Sequence, residues 1–245
     1  MSVSFNINKA YKMYGDSGGS TKFPDSLKQV LNFMQKDRKL NNAKEAAYLL
    51  ATAKSESDYS LQRWEADYLC GPKGVPYVGQ PCQRALDYYR SNQGGKSNYY
   101  AKGVDSTGVP YFGRGLIQLT NPGNYFSYGQ EIGVDLYGDG DKALIPENSY
   151  KIASTYLDKR TFKYVNAGDL TRARKSVNGG TKGVQRTNDS YYRWLNVFQN
   201  PSIKFKVKAS TTKPKKGAFI MGISLAIIAL GGMGYVIYLS LGDKK

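Results

Sequence analysis

Residues 217–241, GAFIMGISLAIIALGGMGYVIYLSL, form a run of 25 residues without a charged side chain. No other feature limits the chain so strongly, because a helix of this length in a water-exposed domain carries a polar stripe and this run has none. About 20 apolar residues cross the hydrocarbon layer, so the run is expected to be a tilted transmembrane helix. Tyr235 and Tyr238 suit the far interface, and Gly222, Gly231, Gly232 and Gly234 allow close helix packing. Residues 202–216, SIKFKVKASTTKPKK, hold six lysines and read as an exposed linker against anionic headgroups. Residues 242–245 are a short charged tail. That leaves 1–201 as one domain, long enough to bury a single core. The lysine bias places this domain on the cytoplasmic side, and residues 1–15 lack the apolar core of an export signal.

The chain has no histidine. Ser-His-Asp and Cys-His nucleophile systems are therefore excluded as usually built, as are zinc sites that depend on imidazole. Proton transfer in an enzyme of this composition falls to Asp, Glu, Tyr or Lys. No metal or organic cofactor is implied. Residues 202–245 carry eight lysines and one aspartate, and residues 1–201, with 27 basic and 18 acidic residues, keep +9 of the chain's +16. A basic surface favours polyanions. No nucleic-acid module is recognisable, so the cell envelope is preferred over specific nucleic acid. The 21 tyrosines and abundant glycine suit sugar binding. Cys70 and Cys82 flank a stretch with three Gly and three Pro, and a disulfide closing it would stabilise by roughly 3 kcal/mol.

Leu27, Val30, Leu31 and Phe33/Met34 recur at helical spacing in 24–36, with Asp25 and Ser26 as start signals. Ala46, Leu49, Leu50 and Ala53 mark a second helix over 42–57. Glu56 falls on the apolar face of that helix, where partial desolvation would keep a carboxyl protonated, as a general acid requires. The alternative is a helix-end Glu paired with an arginine. Glu65 follows nine residues later. On one continuous helix the two would be about 13.5 Å apart along the axis and on opposite faces. They can cooperate only if the helix ends between Ser57 and Trp64, and Ser57-Asp58-Tyr59-Ser60 is a suitable break.

Further on, Gly113 and Gly115 flank Arg114, and Gln118 and Thr120 alternate with Ile117 and Leu119 as on an extended segment. Leu170, Ala173 and Val177 mark a helix with Gly179 as C-cap, and an aromatic helix follows around Tyr191, Tyr192, Trp194, Leu195 and Phe198.

AYLLATAKSES (47–57), WEADY (64–68), YFGRGLIQLT…NY (111–125) and VNGG…R (177–186) together resemble glycoside hydrolase family 19, the chitinase-like fold that includes phage endolysins. The resemblance covers roughly residues 45–195. It implies a mainly α, lysozyme-like superfamily domain with a central cleft. It implies Glu56 as general acid, Glu65 as general base and Thr120 as the hydroxyl that holds the attacking water. Tyr68, Gln118, Asn124 and Asn178 match substrate-binding positions, and Arg114 and Arg186 cleft-supporting ones. Hydrolysis is then inverting, with a water between base and sugar. Ser55 stands where the family usually has His, which implies a tuned site.

The expected function is cleavage of β-1,4 bonds in peptidoglycan, with chitin as the other substrate. A membrane anchor without an export signal suggests a phage virion membrane or a host inner membrane, with the lipid bilayer and virion proteins as partners. The rival readings are a lytic transglycosylase, which needs one acid and no base, and a non-catalytic wall-binding protein.

Overall fold

The computed structural model describes residues 2–65, 69–70, 82–90 and 103–208, with the side chains of 89 and 90 excepted. The chain divides into two compact units, 1–210 and 211–245, and the second lies outside the described residues.

The first unit is built from helices α1 (Ile7–Asp16), α2 (Pro24–Lys36), α3 (Ala43–Ser57), α4 (Gln83–Arg90), α5 (Pro122–Ile132), α6 (Pro146–Arg160), α7 (Phe162–Asn166), α8 (Leu170–Asn178) and α9 (Val184–Gln199). A short antiparallel pair, β1 (Ser2–Ser4) with β2 (Lys206–Lys208), joins the two ends of the unit. Ile203 is fully buried, and its carbonyl accepts from the Asn6 amide at 3.0 Å. The fold thus continues past residue 201 into the first part of the lysine-rich segment.

Helix α3 is the axis of the domain. Every residue from Glu45 to Ala53 is buried, so the helix is enclosed on all sides. Its most extensive partner is α9, and α6 and α7 also pack on it. Asn42 caps it, accepting from the Glu45 amide at 2.9 Å. Helix α2 spans the range its apolar spacing predicts, and Asp25 and Ser26 lie in its first turn as start signals, although neither side chain caps it. Pro24 occupies the first turn, where a missing N–H costs nothing, and the Ser26 hydroxyl instead donates to the Tyr59 carbonyl at 2.8 Å.

The end of α3 is the sharpest feature of the backbone. Asp58 and Tyr59 are both left-handed, at φ 54° and 70°. Non-glycine residues there cost of order 1–3 kcal/mol each and persist only when surrounding contacts hold them. Lys54 pairs with Asp58, the Thr21 hydroxyl donates to the Asp58 carbonyl, and the Lys22 amide donates to its carboxylate. Tyr59 is buried, donates to the Tyr14 hydroxyl and accepts from the Trp194 indole, both at 2.8 Å. Tyr14 and Trp194 stack with ring centroids 4.2 Å apart.

The single-pass anchor and the bilayer partnership expected from the sequence are corrected. Among the described residues no helix is long and apolar enough to cross a membrane. The uncharged run that suggested the anchor, 217–241, lies outside the described residues.

Replacing Trp194 by Phe removes the indole donor to Tyr59 and should lower stability by about 1–3 kcal/mol. Urea unfolding followed by far-UV circular dichroism measures this, and an unchanged midpoint would remove the aromatic trio from its role in holding the turn.

Candidate active site

The two expected carboxylates leave the same end of α3 by different routes. Glu56 lies in its last turn, and its side chain is 18% exposed. Its Oε1 pairs with Nη1 of Arg174 on α8, whose side chain is 6% exposed. The arginine partner weighed from the sequence is therefore present, and Glu56 does not sit in a purely apolar setting. Arg174 Nε also donates to the Lys182 carbonyl at 3.1 Å, and Asn178 Nδ2 donates to that same carbonyl at 2.9 Å. Arg186 donates to the Ser55 carbonyl at 3.3 Å, while the Ser55 hydroxyl shares a 2.8 Å hydrogen bond with Thr187. The acid-bearing turn is thus gripped from both α8 and α9.

Glu65 follows the left-handed turn. Its amide donates to the Gly113 carbonyl at 2.7 Å, and its Oε2 accepts from the Gly113 amide at 3.3 Å. Arg63 extends the seam: its carbonyl accepts from the Gly115 amide at 2.6 Å and from Gln118 Nε2 at 3.1 Å. The Ser57 hydroxyl donates to the Leu116 carbonyl at 2.9 Å, tying the end of α3 to the same segment. Residues 63–65 and 113–119 are thereby one hydrogen-bonded wall beside the end of α3.

That wall is a turn and not the extended segment its alternation predicts. Arg114 and Leu119 bridge each other, and Gln118 has φ 54° between them. Gln118, Thr120 and Asn124 nevertheless line one recess, together with Tyr156 and Val177. Asn124 Nδ2 donates to the Thr120 carbonyl at 2.8 Å, which sets the first turn of α5 against the recess. Asn178 is exposed and closes its own loop, accepting from the Gly180 amide at 3.0 Å. Tyr68 lies outside the described residues. Cys70 and Cys82 form a disulfide with Cα atoms 5.6 Å apart.

Arg114 is a buried cation beneath the wall. Its Nε pairs with Asp141 at 2.7 Å, and its Nη1 donates to the Tyr125 hydroxyl at 2.9 Å and to the Pro110 carbonyl at 3.1 Å. The guanidinium also stacks 3.8 Å from the Phe112 ring centroid. Burial pushes the Asp141 carboxyl above its ordinary value, against the pull of Arg114. Burial pushes Tyr125 up to about 12, with Arg114 again opposing. Asp105 supports the same region by accepting from the amides of Thr107, Val109 and Gly140. Burial pushes its carboxyl up, but these bonds and the Thr107 hydroxyl outweigh that and hold it below its ordinary value.

Sequence reasoning missed Arg174 and Asp105. Arg174 lies one helical turn before Asn178, which was the available signal. Asp105 carries no comparable mark. Among the described residues no group of three or more metal-ligating side chains converges.

No known family model matches the chain, and no curated protein does. Solved structures match its shape. Chitinase C from Streptomyces griseus is 18% identical with a TM-score of 0.51, covering 78% of this chain and 91% of that one. A point mutant of a chitinase C gives the same identity and coverage with a TM-score of 0.50. A bacterial family 19 chitinase is 20% identical with a TM-score of 0.47, covering 78% and 93%. The first two likenesses show a shared fold, in agreement with the helical chitinase-like domain expected from the motifs.

Two outcomes follow from the wall. A Cβ on Gly115 would lie 2.7 Å from the Ser149 hydroxyl and 3.0 Å from the Ala143 carbonyl, at φ 74°. Gly115→Ala should cost at least about 2 kcal/mol. Gly133→Ala, at φ 70° with nothing nearby, should cost only about 1 kcal/mol. Equal losses in thermal unfolding would remove the packing argument. As for pH, the unfolded chain ionises its tyrosine near 10, whereas Tyr125 holds its proton to about 12. Its contribution is therefore intact below pH 10 and lost as pH rises between about 10 and 12. Tyr125→Phe should flatten the stability slope in that window relative to the parent protein.

Proposed function

We propose that this chain is a glycoside hydrolase that cleaves β-1,4 bonds between N-acetylated amino sugars by an inverting, two-carboxylate mechanism. The observation that carries the reading is the left-handed turn after Ser57. It ends α3 between Glu56 and Glu65, so the two need not project from opposite faces of one helix, and the Gly113 amide holds Glu65 against the segment whose Gln118 and Thr120 line the recess. The shared fold with chitinase C supports the same reaction class.

On this reading Glu56 is the general acid. Arg174 engages Oε1, and Oε2 is the oxygen assigned to carry the proton to the leaving group. Glu65, steadied by the Gly113 amide, is the general base for a water that the Thr120 hydroxyl helps to hold. Gln118 and Asn124 line the recess as sugar contacts, Asn178 and Tyr68 are assigned as further ones, and Arg114 and Arg186 hold the walls. The absence of histidine fits an all-carboxylate mechanism.

For the substrate we favour the peptidoglycan strand over chitin. Residues 1–201 carry +9, and a basic surface attracts an anionic wall. The phage setting rested on the membrane anchor and is not carried forward.

The test uses purified sacculi and chitin oligosaccharides with the full chain. Glu56→Gln should lower kcat by about 10²–10⁴ with folding and glycan binding intact, and Glu65→Gln should also lower it strongly. The parent should release reducing-end products of inverted anomeric configuration, read by proton nuclear magnetic resonance. Anhydro-sugar products by mass spectrometry would point to a lytic transglycosylase. Unchanged turnover in Glu56→Gln would defeat the assignment.

A further inference from the structure

Between the C-terminal end of α2 and the first turns of α6 lies a cavity of about 350 Å³. It shares no lining residue with the recess at Gln118 and Thr120. Its size falls in the ~300–1,000 Å³ range of small-molecule sites.

Its chemistry has three parts. The first is cationic: Lys36, Arg38, Lys39 and Lys151 line it, against the acids Asp37 and Glu147. Glu147 pairs with Lys151 at 2.6 Å. Lys36 feels Glu147 and Lys39 feels Asp158 only at longer range, and no ion pair within 4.0 Å engages Lys36, Arg38 or Lys39 among the described residues. Four cations line the cavity against two acids, so positive charge is in excess there. The second part is aromatic. Phe33 and Tyr150 line the cavity with ring centroids 5.4 Å apart and planes tilted by 33°. Phe33 is only half-buried, so an apolar face is left for a ligand. The third part is Asp37. Tyr150 and Ser154 donate to its Oδ2, and the Lys39 amide donates to Oδ1 at 2.9 Å. A carboxylate has about four acceptor sites, so a fixed Asp37 can also take one ligand hydroxyl.

A bare anion would use only the cations, and a neutral sugar only the aromatic wall and the carboxylate. We propose that this cavity binds an acidic sugar unit. Its ring lies against Phe33, which the buried Tyr150 backs, one hydroxyl meets Asp37, and its phosphate or carboxylate is held by Lys36, Arg38 and Lys39. The site goes beyond the proposed hydrolysis and does not depend on it. A second grip on an anionic glycan, apart from the cleft, would raise the local concentration of substrate by linkage.

Titration calorimetry on the full chain with N-acetylglucosamine 6-phosphate, neutral N-acetylglucosamine and inorganic phosphate as separate probes tests it. The sugar phosphate should bind at least tenfold more tightly than either of the other two. The double variant Arg38→Ala/Lys39→Ala, which changes exposed side chains, should weaken it at least tenfold. Inorganic phosphate binding as tightly as the sugar phosphate, unaltered affinity in the double variant, or no binding at all would each overturn the proposal. Hydrolysis is not the readout, so failure of the cavity and failure of the Glu56 assignment are distinguishable.

Discussion

Two carboxylates nine residues apart face opposite ways on a continuous helix, so a site that uses both requires α3 to stop at Ser57. Stopping it costs strain, since Asp58 and Tyr59 both adopt φ values that side chains disfavour. The offset comes from residues distant in sequence. Thr21, Lys22 and Ser26 bond the turn from the α1–α2 side, and Tyr14 and Trp194 enclose the Tyr59 ring and hydroxyl. Local sequence permits the break, but tertiary packing enforces it. The aromatic cluster of α1 and α9 therefore sets site geometry as well as core stability.

The opposite wall depends on a buried cation. Placing a guanidinium in a protein interior is expensive, and pairing it with one carboxylate seldom repays the full cost. Arg114 nonetheless has several partners, although its buried Nη2 has no hydrogen bond among the described residues. It takes Asp141, the Tyr125 hydroxyl and the Pro110 carbonyl, and it stacks on Phe112. These bonds fix a stretch of backbone that has no strand or helix to define it. The flanking glycines follow from the same crowding: at Gly113 a Cβ would meet Gln118 and Thr120 at 3.1–3.3 Å, and at Gly115 it would collide with Ser149. The wall trades intrinsic stability for fixed placement of Glu65, Gln118 and Thr120.

What the sequence made legible follows the physics of each element. Helices α2, α3, α8 and α9 bury one stripe or more, and apolar spacing at 3.6 residues reports that directly. The Gly179 cap was legible because glycine is favoured in the left-handed conformation, and a break after Ser57 was legible because Ser and Asp prefer caps and turns. The turn at 115–118 was not, because its alternation of Ile117, Gln118, Leu119 and Thr120 is equally that of a strand, and what closes it is the pairing of Arg114 with Leu119 and the bond from the Gln118 amide to the Gly115 carbonyl. Arg174 was missed because α8 places it beside an apolar stripe, where an arginine reads as solvated. The cavity between α2 and α6 was illegible for another reason. Its residues come from segments more than a hundred positions apart, and nothing local marks them as neighbours. The uncharged run at 217–241 misled the placement of the whole chain, since absence of charge is a condition for spanning a membrane and not a demonstration of it.

Arg174 gives the site a mechanical property that no list of its residues conveys. Its guanidinium holds Glu56 with one nitrogen and the Lys182 carbonyl with another, and Asn178 donates to that same carbonyl. The acid and the 178–182 loop are therefore joined through one side chain, so a displacement of either is felt by the other. An amide such as Asn178 exchanges its bond to Lys182 for a sugar group at little net cost, because one hydrogen bond replaces another. A sugar group that drew Asn178 away would leave the Lys182 carbonyl to Arg174, so on the proposed mechanism the loop contact and the acid share one support.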